Sequence, residues 1–393
     1  MPHLLQTYDP LHVTFTEGEG LWLTDDKQQR YLDAISGIGV TLLGHNHPEW
    51  VEQAKIQAGK LVHVSNMYQI PEKSQLAQKL CQLAHMDKVF FANSGSEANE
   101  TAIKLARLYG NRQHITNPTI IVFENAFHGR TLATLSASGH RQVQAGFEPL
   151  SSGFIRVPFG DINALKQIAQ SRHDVVALMI EPIQGAGGIH IASNSFLQEV
   201  RHLCNDHHWL LISDEIQTGV GRTGKFLCVE HAGIQADVVT LAKGLANGIA
   251  IGACLTKGIA NELFTPDKHG STLGGNPFAC AMALKTLEII EKENLMQNAA
   301  LQGDLLLKSL NERLGHHPQV KSVRGKGLML AVECKQPCKP VVKIALKHGL
   351  LINVPQPHII RLLPPLVIQP KEIEQIVNKL EISLDEFAKL QSN

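Results

Sequence analysis

Lys243 closes the apolar run VVTLAKGLANG, following Val238, Val239, Leu241 and Ala242. Few lysines project from a buried strand end, because burial penalises the ammonium form and lowers the amine pKa from its ordinary ~10.4. A neutral amine attacks aldehydes, so this setting suits a lysine that forms a covalent link to a carbonyl group. A strand-terminal lysine reaching back to solvent along its stem fits the same segment. The choice between them rests on the other residues with chemical potential.

Asn93-Ser94-Gly95-Ser96-Glu97-Ala98-Asn99 follows a strand-like run and opens a helix. Ser94 or Ser96 can cap it, and the free first-turn amides with the positive dipole end make an anion site. Asp214 and Glu215 end the run WLLIS. A partly desolvated carboxylate there stays ionised only beside a cation or hydrogen-bond donors. A protonated pyridine nitrogen is one such partner for Asp214, and a neighbouring helix is another. Phe127-His128-Gly129-Arg130-Thr131 offers an aromatic face beside a carboxylate-binding guanidinium, and Arg361 lies within the apolar run IIRLLPPLVI, where it needs a partner from protein or ligand.

One glycine-rich stretch points to a different class. Gly219, Gly221 and Gly224 fit GxGxxG, with Asp237 downstream, and the stretch nearly fits a phosphate loop except that Phe226 stands where a serine or threonine belongs. Residues 214–218 separate these glycines from the preceding strand, and no apolar helix starts after Gly224. A dinucleotide-binding protein is therefore the runner-up.

Bulk properties remove several classes. The 393 residues carry 36 Lys plus Arg against 36 Asp plus Glu, so no basic excess points to nucleic acid. The 20 histidines are scattered, His207-His208 included, and show no metal-ligand spacing, so no metal is expected. The 7 cysteines are dispersed; Cys334 and Cys338 lie close but lack a second pair to complete a zinc site. This is a reduced, intracellular pattern. The N-terminal MPHLLQTYDP has no signal-peptide character, and no apolar run approaches the ~20 residues of a membrane helix. A cytoplasmic protein without membrane contact is expected.

The elements that must position these residues alternate. KVFFAN (88–93), TIIVFE (119–124), VVALMIEP (175–182), WLLISDE (209–215), VVTLAK (238–243) and IGACLT (251–256) are continuous apolar runs, as in strands covered on both faces. Helical spacing at 96–109 and 195–208 falls between them. The alternation predicts a mainly parallel α/β sheet with functional residues at the strands' carboxyl ends. Residues 14–40 suggest a meander around a DDKQ turn, and a helix over 277–293 leads into a smaller α+β segment. The expected division is a large domain over 49–270 and a smaller one from both chain ends, 1–48 and 271–393.

NSGSEANE, AFHGRT, EPIQGAGG, DEIQTGVGRTG, LAKG and STLGGNP occur here in the order of class III, fold-type I pyridoxal-phosphate aminotransferases, and the resemblance spans residues 43–368. Within the class, chain length, DEIQTGVGRTG and the C-terminal segment are most similar to the acetylornithine aminotransferases of arginine biosynthesis. The resemblance implies that pyridoxal 5'-phosphate is carried on Lys243, which also transfers the proton. It implies that Asp214 bonds the pyridine nitrogen, Gln217 approaches the ring hydroxyl, Gly95 and Ser96 bind the phosphate, and Phe127 stacks on the ring. Thr272 would reach the phosphate of the neighbouring subunit, giving a homodimer with shared active sites. Arg130 and Ser271 would bind the carboxylate end of the acylated amine, and Arg361 the α-carboxylate of 2-oxoglutarate. The implied reaction is ping-pong transfer of an ω-amino group to 2-oxoglutarate, giving a semialdehyde and glutamate. Succinylornithine, ornithine, 4-aminobutyrate and diaminopelargonate are the alternative donors. One position departs from the pattern: the class usually has glutamate where Gln184-Gly185-Ala186-Gly187-Gly188 has Ala186. That glutamate pairs with the arginine matching Arg361, so here Arg361 is expected to stay open to carboxylates, and diaminopelargonate aminotransferases share the alanine.

Overall fold

The computed structural model describes residues 3–391, and a seven-stranded sheet forms its centre. The spatial order is Lys88–Ala92, Gly252–Thr256, Val238–Leu241, Leu210–Asp214, Val175–Ile180, Thr119–Phe123 and Phe154–Val157. Gly252–Thr256 runs antiparallel to both neighbours, while the contacts from Val238–Leu241 through to Phe154–Val157 are all parallel. The six apolar runs all become strands, as expected of a sheet covered on both faces: every residue of Val175–Ile180 and Thr119–Phe123 is buried. The seventh strand escapes the pattern because its four residues are interrupted by Arg156, whose guanidinium turns to the Ser138 carbonyl at 3.1 Å.

Helices cover the sheet where the spacing put them. Gly95–Arg112 and Asn194–Asp206 start at serine caps, with Ser94 Oγ accepting from the Glu97 amide at 3.2 Å and Ser193 Oγ from Phe196 at 3.1 Å. Pro277–Lys292 starts with Asn276 as its cap and proline in its first turn, where the missing N–H has no intrahelical partner to lose.

At the N-terminal end, Phe15–Glu19, Trp22–Asp25 and Arg30–Asp33 form the antiparallel meander. Its DDKQ turn is held by Asp25 Oδ1, which accepts from the amides of Lys27 at 2.9 Å and Gln29 at 2.8 Å. Arg30–Asp33 then pairs in parallel with Leu350–Leu351 near the other end of the chain. A second four-stranded sheet, ordered Val320–Lys326, Met329–Cys334, Ile359–Leu362 and Asn353–Gln356, carries Arg361 opposite Asn353. Among the described residues, no helix is long and apolar enough to cross a membrane.

Asp214, Glu181 and Lys243 sit at or just past the ends of three adjacent parallel strands, at the edge where α/β sheets collect ligands. The antiparallel strand between Lys88–Ala92 and Val238–Leu241 brings its amino end to the same edge. There Gly252 packs so closely on the turn before Gly95 that an added Cβ would lie 2.2 Å from the Ser94 carbonyl oxygen. Backbone rather than a flexible side chain is the obstacle. Gly252→Ala is therefore expected to destabilise the fold by about 1–3 kcal/mol, read as a lower denaturant midpoint at unchanged slope.

Candidate active site

The strand ends open into a cavity of about 630 Å³. Lys243, Asp214, Gln217 and Phe127 line it, and so do Gly95, Ser96, Arg130 and Arg361. Ser271 and Thr272 do not. Ser271 lies one residue away, its Oγ accepting from Asn93 Nδ2 at 3.1 Å, and Thr272 is exposed outside.

Strand Val238–Leu241 stops two residues before Lys243, which adopts a left-handed φ of +43° at the start of a tight turn. Such backbone strain in a non-glycine residue concentrates at functional positions. The turn directs Nζ to Gln217 Oε1 at 3.1 Å. Burial lowers the ammonium pKa to about 8, with the Arg361 charge acting in the same direction and Asp214 and Glu181 opposing it. An amine with that pKa is partly neutral, and therefore nucleophilic, near neutral pH.

Asp214 is buried, and its carboxylate is held entirely by donors. Oδ2 accepts from Asn99 Nδ2 and from His128 Nδ1, both at 2.8 Å, and Oδ1 accepts from the Ile216 amide at 3.1 Å. Because an ionised carboxylate only accepts, the His128 proton sits on Nδ1. Asn99 is oriented in turn, its Oδ1 accepting from Thr240 Oγ1 at 2.7 Å and its Nδ2 also donating to the His128 carbonyl at 2.8 Å. This cage keeps a negative charge at a fixed point in the cavity without a lysine or arginine beside it.

The start of the helix that carries Asn99, Gly95–Arg112, forms another part of the wall. Ser94 satisfies the Glu97 amide through its side chain and the Ala98 amide, at 3.0 Å, through its carbonyl. The amides of Gly95 and Ser96 keep no acceptor among the described residues and point out of the positive end of the helix. Gly129, at φ +144°, packs over this turn; a Cβ there would stand 2.5 Å from Ser96 Oγ. Phe127 is fixed next to it by its amide, which donates to Glu181 Oε1 at 2.8 Å.

Two guanidiniums bound the cavity differently. Arg130 is exposed, with Cζ 5.7 Å from the Phe127 ring centroid. Arg361 is only 4% exposed and meets neutral acceptors alone, Nε donating to Asn353 Oδ1 at 2.9 Å and Nη1 to the Gly185 carbonyl at 3.2 Å. Burial lowers its pKa to about 10, with the Glu181 charge opposing. Ala186 lines the cavity beside it and brings no charge. A buried cation without an ionic partner is a seat for an anionic group.

Motif reading gave no role to Glu181, which it quoted only inside VVALMIEP and EPIQGAGG, nor to Asn99 and His128, which it named. Glu181 is the first residue after Val175–Ile180, and its position inside EPIQGAGG was the available signal. For Asn99 there was only its spacing on the helix from Ser96. The glycines of GVGRTG serve packing instead of phosphate binding. Gly221 presses on Met296 and Gly224 on Ala300, with Cβ positions 3.0 Å and 2.8 Å from those side chains, and a short 3-10 turn follows instead of a helix.

Comparison with known proteins agrees with this geometry. The profile for aminotransferase class-III matches residues 5–384. The chain belongs to the class III aminotransferases. An acetylornithine aminotransferase of Nitrosomonas europaea is 48% identical over 387 residues, covering 98% of each chain. The crystal structure of acetylornithine aminotransferase from Elizabethkingia anophelis superposes with a TM-score of 0.88 at 33% identity, covering 98% of this chain and 97% of its own. Ornithine aminotransferase from Toxoplasma gondii, whose structure has pyridoxal phosphate at partial occupancy, gives a TM-score of 0.95 at 29% identity, covering 100% of this chain and 94% of its own.

This class III aminotransferase has the fold-type I architecture and depends on pyridoxal phosphate. Its cavity residues fit that group: a depressed-pKa amine for the aldehyde, acceptor-free amides for the phosphate and a caged carboxylate for a ring nitrogen. Capture of the aldehyde by Lys243, followed as absorbance growth in the apoprotein, should speed up roughly tenfold from about pH 7 to about pH 9 and level off above pH ~8. An unperturbed lysine would instead continue to accelerate by about tenfold per pH unit through that range.

Proposed function

We propose that this aminotransferase moves the ω-amino group of N-acetylornithine, or a close ω-amine, to 2-oxoglutarate, yielding the semialdehyde and glutamate. The observation that carries the reading is Arg361, a buried guanidinium on the cavity wall with only neutral acceptors, while Arg130 offers a second, exposed one at the cavity's margin. Two carboxylate seats around one reactive amine suit substrates that carry a carboxylate away from the reacting carbon. The acetylornithine aminotransferase relatives support that donor.

When bound, pyridoxal phosphate supplies an aldehyde and an electron-poor ring that takes up the electron pair left when a substrate C–H proton departs. The chain supplies everything else. Gly95 and Ser96 offer their amides and the helix dipole to the phosphate, and Thr272 serves the phosphate of the neighbouring subunit, making the active unit a homodimer with shared sites. Phe127 forms the stacking wall. Asp214, held ionised by Asn99, His128 and the Ile216 amide, keeps the ring nitrogen protonated. Gln217 orients Nζ of Lys243 and would serve the ring hydroxyl of the bound group. Lys243 Nζ would hold the group's aldehyde and, as a free amine, would take the proton from one carbon and return it to another, a base whose pKa is near the working pH. Arg130 and Ser271 hold the carboxylate end of the acylated amine, and Arg361 holds the α-carboxylate of 2-oxoglutarate in a two-pronged contact. One active site thus serves two substrates in turn, which gives ping-pong kinetics.

The same reading places residues 1–48 with 271–393 in a smaller domain and 49–270 in the cofactor-binding one. The pairing of Arg30–Asp33 with Leu350–Leu351, and the Leu363 amide's 2.7 Å bond to the Ala34 carbonyl, support the joining of the two ends. Seven free cysteines support a cytoplasmic setting, and the relatives' names support a place in arginine biosynthesis.

A panel of amine donors against 2-oxoglutarate tests the assignment. N-Acetylornithine should lead in kcat/KM; a lead by 4-aminobutyrate or diaminopelargonate would move the enzyme to a sibling activity. Arg361→Lys replaces a planar fork with a point charge and should raise KM for 2-oxoglutarate by about 10–100-fold. Ala186→Glu places an acid beside Arg361, so steady-state kinetics should show kcat/KM for α-amino-acid donors falling about tenfold relative to ω-amines.

A further inference from the structure

Glu181 is a buried carboxyl, 5% exposed, on the cavity wall, and its two oxygens bind two different walls. Oε1 accepts from the amide of Phe127 at 2.8 Å, and Oε2 from the amide of Gly185 at 3.2 Å. Gly185 is itself a partner of Arg361, through its carbonyl in the following peptide unit, which accepts from Nη1 at 3.2 Å. The next carbonyl, that of Ala186, accepts from Gln356 Nε2 at 2.9 Å. The 185–186 backbone is thus gripped by Glu181 from one side and Gln356 from the other. Arg361 rests on it and on Asn353, with no acidic side chain in contact.

We propose that Glu181 is a positioning residue for the acceptor's carboxylate: it anchors Gly185 by its N–H, and the carbonyl of that same residue seats Arg361, so the guanidinium is held open with no ion pair to break. This deepens the reading of Arg361 as the 2-oxoglutarate seat and rests on it. The substrate class follows from the construction. A site whose arginine is aimed by the Gly185 carbonyl and Asn353 takes an α-carboxylate in either half-reaction, glutamate and 2-oxoglutarate alike, without displacing an acidic side chain of the protein. The charge of Glu181 does act on Arg361, Lys243, Asp214 and His128. The distinction between aiming and neutralising is therefore the one an experiment must make.

Glu181→Asp keeps the charge but is too short to reach both amides, whereas Glu181→Gln removes the charge and turns a donor group toward one amide. Each leaves a buried amide without its acceptor, a loss worth about 5–150-fold in binding when the seat depends on it. Glutarate, an unreactive dicarboxylate, is titrated calorimetrically into the pyridoxal-phosphate-loaded protein, with visible absorbance and borohydride trapping on Lys243 confirming loading. Positioning predicts about tenfold weaker glutarate binding in both variants, a matching rise in KM for 2-oxoglutarate, and a donor KM within about twofold of the parent. Gln356→Leu, which loosens the same backbone without touching Glu181, should weaken glutarate in the same direction and keeps the test usable if a Glu181 variant fails to fold. Tighter binding in Glu181→Gln with no change in Glu181→Asp would overturn the proposal, as would unchanged glutarate binding or an equal rise in both KM values. Arg361→Ala in the same titration separates the two claims. Glutarate binding that survives it removes the seat itself, while Arg361-dependent binding with an inert Glu181 series removes only the positioning role.

Discussion

Burial of the Lys243 amine is the constraint to which the neighbouring groups answer. A primary amine in water is protonated at neutral pH and does not attack carbonyls; taken out of water it sheds its proton more readily, and here its pKa falls to about 8. That removal from solvent needs a strand that ends inside the protein and a turn that bends the next residues into a cavity, which Val238–Leu241 and the left-handed Lys243 supply. The amine must also keep one polar partner, and Gln217 is neutral, so it orients Nζ without restoring the proton. A carboxylate in that place would have raised the pKa again and cost the amine its reactivity.

Asp214 faces the opposite requirement, since it must remain charged where charge is costly. Three donors surround it and none is a fixed cation, so its negative charge stays directed into the cavity instead of being spent on a salt bridge. Asn99 and Thr240 continue the chain of bonds outward to the neighbouring strand. Such a fully satisfied network is stiff, and stiffness is what a group needs if it is to hold a ring nitrogen in one protonation state.

Much of this was legible in the residues, and the limits of legibility have physical causes. Lys243, Asp214 and Arg361 stood out because a charged residue closes or interrupts an apolar run, a conflict that only a partner or a function resolves. The strands were readable from their continuous apolar runs, whereas Phe154–Val157 was missed because exposed Arg156 interrupts a run of only four residues. Glu181 closes a run just as Asp214 does, yet its role depends on two amides distant in sequence, those of Phe127 and Gly185, which no local pattern reveals. Ser271 and Thr272 lie outside the cavity of their own chain, so one chain's geometry gives them no role there. The GxGxxG match shows the converse: a spacing reproduced by glycines that are small because Met296 and Ala300 press on them.

The centre of the cavity sets Lys243 and Arg361 against Asp214 and Glu181, and burial drives two of them toward their neutral forms, the pKa of Lys243 down to about 8 and that of Glu181 up to about 7. A phosphate or a dicarboxylate gains little from the mean field of such a site and must be bound by directed N–H groups. Those groups are present at both ends: acceptor-free amides at the start of Gly95–Arg112, and a guanidinium whose free donors are aimed by the Asn353 and Gly185 oxygens. Directed donors discriminate by geometry: with the first-turn amides serving the cofactor's phosphate, a dicarboxylate of the wrong length reaches Arg361 and not Arg130. With alanine at position 186, the aim of Arg361 comes from the Gly185 carbonyl and Asn353, so selectivity between carboxylates falls to the distance between the Arg130 and Arg361 seats and not to a competing acid.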